Sequence, residues 1–244
     1  MRSARWQNES GVCLAEMMIA LLAGTIALSA TIDSLQHIDR RLRAQHAAVD
    51  RVEDERLGLQ VLQEELRLAR PGLSDDPAIL KVSGQEIEFW ANLDGLSTQL
   101  TAAVTGLETT LPVRDGTGWR KGKRVVVCDI AGCAESKLDR DGRRTSIVLA
   151  NALGRAMAVG SSLAVTNRVR YYMGRDGNGQ PALMRQVDGG ANPIIAQVTA
   201  FQLRCLDRHG RPTTNPGDVA RIQVNLTVGS GGRNLTTDVA IQRH

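Results

Sequence analysis

The chain has 244 residues, of which 42% are apolar and 23% charged, enough to bury a sizeable core and unlike the composition of a disordered chain. Thirty basic residues (30) against 26 acidic ones leave a net charge of +4, scattered rather than gathered into one run. With aromatics at 3%, that balance argues for a solvated surface and against nucleic acid as the main partner or stacking-based recognition of bases and sugars.

The first element is the most distinctive. From Val12 to Ile32 every residue is apolar or small, apart from the carboxylate of Glu16. As a helix rising about 1.5 Å per residue, the segment is long enough to cross a hydrocarbon core of roughly 30 Å. Arg2 and Arg5 precede it, so the positive-inside rule places the N-terminus in the cytoplasm and everything beyond Asp33 outside the inner membrane. A cleaved secretory signal is the rival reading, with a loose small-residue site near residues 29–31. No break follows, however. Leu35, Ile38, Leu42, Val49, Val52, Leu59, Leu62, Leu66 and Ala69 continue a helical stripe, interrupted at Gln45 and Arg56. The helix is expected to run to Arg70 and to stop at Pro71-Gly72, giving a rod of about 88 Å.

A carboxylate inside an apolar span is costly, by about 2.5–3.5 kcal/mol at its centre and less near its end. The plain reading of Glu16 is a helix-start residue favoured by the macrodipole. The alternative is a carboxylate awaiting a cation, and no Lys or Arg lies between residues 6 and 39 to supply one.

The stretch "SGVCLAEMMIALL" resembles the N-terminus of type IV prepilins and pseudopilins, the class III signal peptides. In that family a short basic leader ends in Gly and is removed by a prepilin peptidase on the cytoplasmic side. The first mature residue is then N-methylated, and a Glu follows four positions later. The resemblance puts the cut between Gly11 and Val12, methylation on Val12, and the subunit-assembly carboxylate at Glu16. The family's usual first residue, Phe, is Val12 here. Its kinking Pro is absent, with Asp33 near that place, which implies a straighter helix. On this reading Glu16 meets the new Val12 amine of a neighbouring subunit as helices pack into a filament. Ala20, Ala23, Gly24 and Ala27 offer a small face for close helix contact.

Beyond Pro71 the pattern changes to short alternating runs separated by Gly, Asn, Asp and Pro. "QEIEFWA", "KRVVVCD", "RTSIVLA", "NRVRYYM", "PALMRQV", "VTAFQLRCL", "ARIQVNLTV" and "NLTTDVAIQ" read as strands, and "LSTQLTAAVTGLETT" is ambiguous between helix and strand. Cys128 and Cys133 sit across a short turn at Ala131-Gly132 and can reach disulfide distance. Free thiols or a metal site are the alternatives, although a zinc site lacks its second pair of ligands. A disulfide implies an oxidising compartment such as the periplasm. Cys205 reads as a small buried apolar residue. The fold class is therefore α+β. A long N-terminal helix, membrane-spanning in its first part, packs on an antiparallel β-sheet domain, with the sheet covering the stripe from Leu42 to Ala69.

The strand order is similar to that of PilW-type minor pilins and of the J-type minor pseudopilins of type II secretion. Val169, Tyr171, Leu183, Arg185, Ile195, Ala196, Val198, Phe201 and Leu203 follow the pattern in sequence. The two resemblances imply a leader at 1–11, a transmembrane and polymerisation helix at 12–32, its amphipathic continuation at 33–70 and a periplasmic β-rich domain at 71–244. They imply a minor pilin that primes or caps a type IV pilus, in the inner membrane and then in the filament, with a prepilin peptidase and other pilins as partners. A minor pseudopilin, or a membrane-anchored periplasmic binding domain that never polymerises, are the alternatives. No catalytic motif, cofactor or metal site is expected. There is no HExxH, P-loop or GxSxG, and the Asp-Gly and Asn-Gly sites around Asp139, Asp141, Asp176 and Asn178 read as ordinary turns. The glycine cluster at 229–234 reads as a hairpin. DNA contact rests on the family and the mild positive charge alone.

Overall fold

The structure, a computed structural model, describes residues 14–69, 78–229 and 231–241. The chain divides into two units, Met1–Glu53 and Asp54–His244. Helix α1, Leu14–Arg67, is a single element of 54 residues with no proline to interrupt it. Its part up to Glu53 makes up the described portion of the first unit, and its last turns belong to the second. The helix stops at Arg67. Leu68 and Ala69 already leave it, Ala69 bridging to Ala91, so the expected end at Arg70 is a little too late.

The second unit is built on antiparallel strands. One eight-stranded sheet joins β1 (Ile79–Ser83), β2 (Glu86–Ala91), β3 (Ser97–Gln99), β5 (Arg124–Asp129), β6 (Gly132–Lys137), β8 (Ser162–Arg175), β9 (Pro181–Val187) and β10 (Gly190–Ala196). A three-stranded sheet follows from β11 (Val198–Leu206), β12 (Arg221–Val228) and β13 (Arg233–Ala240). A small ribbon pairs β4 (Thr110–Pro112) with β7 (Ser146–Val148).

The backbone of the larger sheet is β8, which is 14 residues long. Its first half pairs with β3 and β5, and its second half with β2 and β9. It therefore feeds two cores. Leu163 and Val165 join Val125, Val127, Trp119 and Ile147 in one. Val169 and Tyr171 join Phe89, Phe201 and the helix residues Leu62 and Leu66 in the other. "LSTQLTAAVTGLETT" resolves as the short strand β3 followed by irregular chain, with no helix.

The step from one sheet to the other is a single residue. The run from Ile195 to Leu203 is cut at Gln197, whose φ of 55° turns the chain just before the strand that the sequence shows from Val198. β10 ends before it in the larger sheet, and β11 begins after it in the smaller one. The preceding turn is tighter than its Gly-rich sequence indicates. Only Asp188 (φ 50°) and Gly189 (φ 104°) lie between paired Val187 and Gly190, a two-residue hairpin loop with both central residues at positive φ. β10 pairs with β9 alone, so Pro193 is tolerated on an edge strand, next to a register shift.

Coverage of the helix stripe also differs from the expectation. Leu42, Val49 and Val52 are exposed, and burial begins only at Glu55, continuing through Gly58, Leu62, Glu65, Leu66 and Ala69. The covered positions are those in the β-rich unit, where Leu62 and Leu66 pack with Phe89, Val169, Tyr171 and Phe201.

Candidate functional site: the N-terminal helix and its seat

Among the described residues, one helix is long and apolar enough to cross a membrane, and none of its apolar window is buried. Its large side chains face outward on every side, among them Met17 (63% exposed), Leu21, Leu22 and Ile26. An all-round apolar surface makes sense in a lipid or protein surround and is unfavourable in water. The segment's hydroxyls are already satisfied within the helix. Thr25 donates to the Leu22 carbonyl at 2.9 Å, Ser29 to Thr25 at 2.9 Å, and Thr31 to Ala27 at 2.8 Å. Glu16 lies in the first turn with its side chain exposed, and Ala20, Ala23, Gly24 and Ala27 are exposed as well. Gly11 and Val12, the residues assigned to leader cleavage and methylation, lie outside the described residues.

The other end of the helix is held by two acid–base contacts. Glu65 is only 7% exposed. It accepts a hydrogen bond of 2.6 Å from the Tyr171 hydroxyl and two of 3.0 Å from Arg185 Nε, with Arg185 Nη2 also on the carboxylate. Glu65 thus ties α1 to β8 and β9 at once, in a charge-assisted bidentate arrangement. Burial, and then the Glu65 carboxylate, push the Tyr171 hydroxyl well above the ordinary tyrosine value, so it stays a donor. The Glu65 hydrogen bond raises Arg185 further still, against the opposing effect of burial. Nearly three turns earlier, buried Glu55 lies against Arg233 of β13 in an ion pair. Between them Gly58 sits so close to β10 that an added Cβ would lie 2.8 Å from the Ile194 carbonyl oxygen and against the Ile195 side chain.

Sequence reasoning named Tyr171 and Arg185 as pattern positions but not as partners. It missed Glu55, Gly58 and Glu65. Their signal was present: all three fall on the helix's apolar stripe, where a carboxylate or a glycine is out of place unless something specific faces it.

Cys128 and Cys133 are directly opposite in the β5–β6 hairpin and are joined by a disulfide. The hairpin tip is fixed by the Asp129 carboxylate, which accepts from the Ala131 amide at 2.8 Å and pairs with Arg155 at 3.3 Å. Cys205 is a free, buried thiol, and burial pushes its pKa up to about 11. Among the described residues, no cluster of His, Cys, Asp and Glu could hold a metal ion. Compared with known proteins, the chain matches no family model and no curated sequence.

Proposed function

We propose that the protein is a pilin-like minor subunit of a type IV pilus, which primes assembly or sits at the filament tip. It enters the inner membrane through α1, its β-rich unit lies in the periplasm, and it then packs into the filament through the same helix. The observation that carries this reading is the helix itself: an exposed, all-round apolar segment with one carboxylate, Glu16, continuous with turns that are locked into a β domain by Glu55 and Glu65. Such a segment is unfavourable when left in water, and its carboxylate, a helix-start residue in a simple anchor, gains a cationic partner in a filament.

The chemistry is electrostatic. Removal of the leader after Gly11 by a prepilin peptidase creates an amine on Val12. A Glu16 carboxylate of the neighbouring subunit pairs with it, which offsets the cost of holding either charge in apolar surroundings. The small face formed by Ala20, Ala23, Gly24 and Ala27 lets helices approach closely. A minor pseudopilin of type II secretion would use the same steps, and the two are told apart by which assembly system the protein joins.

The test is N-terminal mass spectrometry of the protein co-expressed with a prepilin peptidase, as wild type and as Gly11→Ala. A mature chain starting at methylated Val12, lost in the variant, supports the reading. An intact Met1 indicates a non-polymerising anchored domain, and cleavage near Thr31 a secretory signal; either result refutes it.

A further inference from the structure

The face of the larger sheet turned away from the helix carries a cleft of about 1050 Å³, in which basic side chains outnumber acidic ones by seven to three. Most of these charges are matched across strands. Glu86 pairs with Lys81 at 3.1 Å and Arg170 at 2.8 Å. Glu88 pairs with Arg168, and Lys123 with Asp188 at 3.0 Å. Glu135 reaches in from the rim to Arg124.

Two cations at one end stand outside these pairs among the described residues. Among the described residues, no carboxylate lies within ion-pair distance of the Lys121 or Lys137 ammonium, and both side chains are exposed. The chain brings them together, because the Gly122 amide donates to the Leu138 carbonyl at 2.8 Å. Lys137 also stands directly opposite Arg124 in the β5–β6 ladder, and since Arg124 already has Glu135 beside it, Lys137 is the cation of the two left to an incoming anion.

The aromatic rings of this face narrow the ligand class. The Trp90 ring is covered by the Arg124 guanidinium at 3.9 Å, and Tyr172 by Arg170 at 4.4 Å. Each ring therefore has a face already occupied by a cation, which disfavours the base stacking on which single-stranded nucleic acid binding depends. The acids Glu86, Glu88 and Asp188 would repel an evenly charged phosphodiester chain, whereas a polypeptide places its charges singly.

We infer that this cleft docks an acidic polypeptide segment of a partner protein, with Lys121 and Lys137 as its principal anchors. The cleft lies in the β-rich unit and owes nothing to the use made of the helix. A fluorescein-labelled peptide with spaced acids, (Glu-Gly-Ser)4, titrated into the full chain in detergent micelles, is expected to bind saturably and to weaken as salt rises. Lys121→Glu/Lys137→Glu should weaken it at least ten-fold. Arg204→Glu/Arg208→Glu, an equal charge change on β11 and the loop after it, should leave the affinity within two-fold. Unchanged thermal unfolding of both double variants shows that the fold is intact. No saturable binding to the wild type, equal losses in the two double variants, or tighter binding of a labelled dT10 oligonucleotide than of the (Glu-Gly-Ser)4 peptide would each overturn the assignment.

Discussion

Glu65→Ala is the sharpest perturbation of the seat of α1. It removes the acceptor of the Tyr171 hydroxyl, in a residue that is fully buried, and of the Arg185 guanidinium, which is 29% exposed. Removing one partner of a buried ion pair costs about 3–5 kcal/mol, and leaving a buried hydroxyl unpaired about 1–3 kcal/mol. The two overlap, and Arg185 regains some solvent, so the expected loss is about 3 kcal/mol. Tyr171→Phe deletes a single hydrogen bond and leaves Glu65 on Arg185, for a loss of about 1 kcal/mol. The double variant should lose less than the sum of the two, by about 1 kcal/mol, because Tyr171 has no acceptor once Glu65 is gone. The assay is urea unfolding of the full chain in a mild detergent, followed by tryptophan fluorescence and far-ultraviolet circular dichroism. A loss under about 1 kcal/mol for Glu65→Ala, or strict additivity with Tyr171→Phe, would refute the reasoning.

Four further outcomes are expected. Gly58→Ala should destabilise by about 1–3 kcal/mol because its Cβ has no room against Ile194 and Ile195, whereas Gly24→Ala, with nothing within 4 Å, should be neutral or slightly favourable; the same unfolding assay compares them. Replacing Cys128 and Cys133 by Ser opens a loop of sequence separation 5 and should cost about 2 kcal/mol, read as a lower unfolding midpoint. In a Cys13→Ser background, Cys205 at a pKa of about 11 has about 0.1% thiolate at pH 8, against about a quarter for an ordinary thiol, so iodoacetamide should label it only after unfolding. Burial works to raise the Asp188 pKa, but the Arg168 amide, Asn167 and Lys123 together hold it below the ordinary aspartate value. Its contribution is thus present above about pH 3.9 and is lost as the pH falls below that, and Asp188→Asn should flatten the acid limb of a stability-against-pH curve.

How far the sequence reaches differs from element to element. The strands "KRVVVCD", "PALMRQV" and "ARIQVNLTV" are legible because alternation and turn residues are local signals, and they appear as β5, β9 and β12. The break at Gln197 is not legible, because neither Gly nor Pro marks it. It lets Ile195 of the larger sheet and Val198 and Phe201 of the smaller one enter the same core beside the helix, which an unbroken strand, with 195 and 198 on opposite faces, would not allow. The buried carboxylates are half-legible. Glu55 and Glu65 stand out on the apolar stripe, but nothing local in the sequence names their partners, since Tyr171 and Arg185 lie 106 and 120 residues from Glu65, and Arg233 lies 178 (233 minus 55) from Glu55.

The sequence by itself determined that one helix begins as an apolar, lipid-compatible segment with a single carboxylate and continues as an amphipathic one, because composition and the 3.6-residue period are properties of adjacent residues. It also determined an antiparallel β-rich remainder. Only the tertiary structure decided where the stripe is covered, from Glu55 rather than Leu42, because that depends on strands drawn from distant parts of the chain. The tertiary structure likewise gathered the scattered cations into one cleft, with Lys121 and Lys137 unmatched among the described residues, because a sheet places residues from six strands and their loops side by side whatever their separation along the chain.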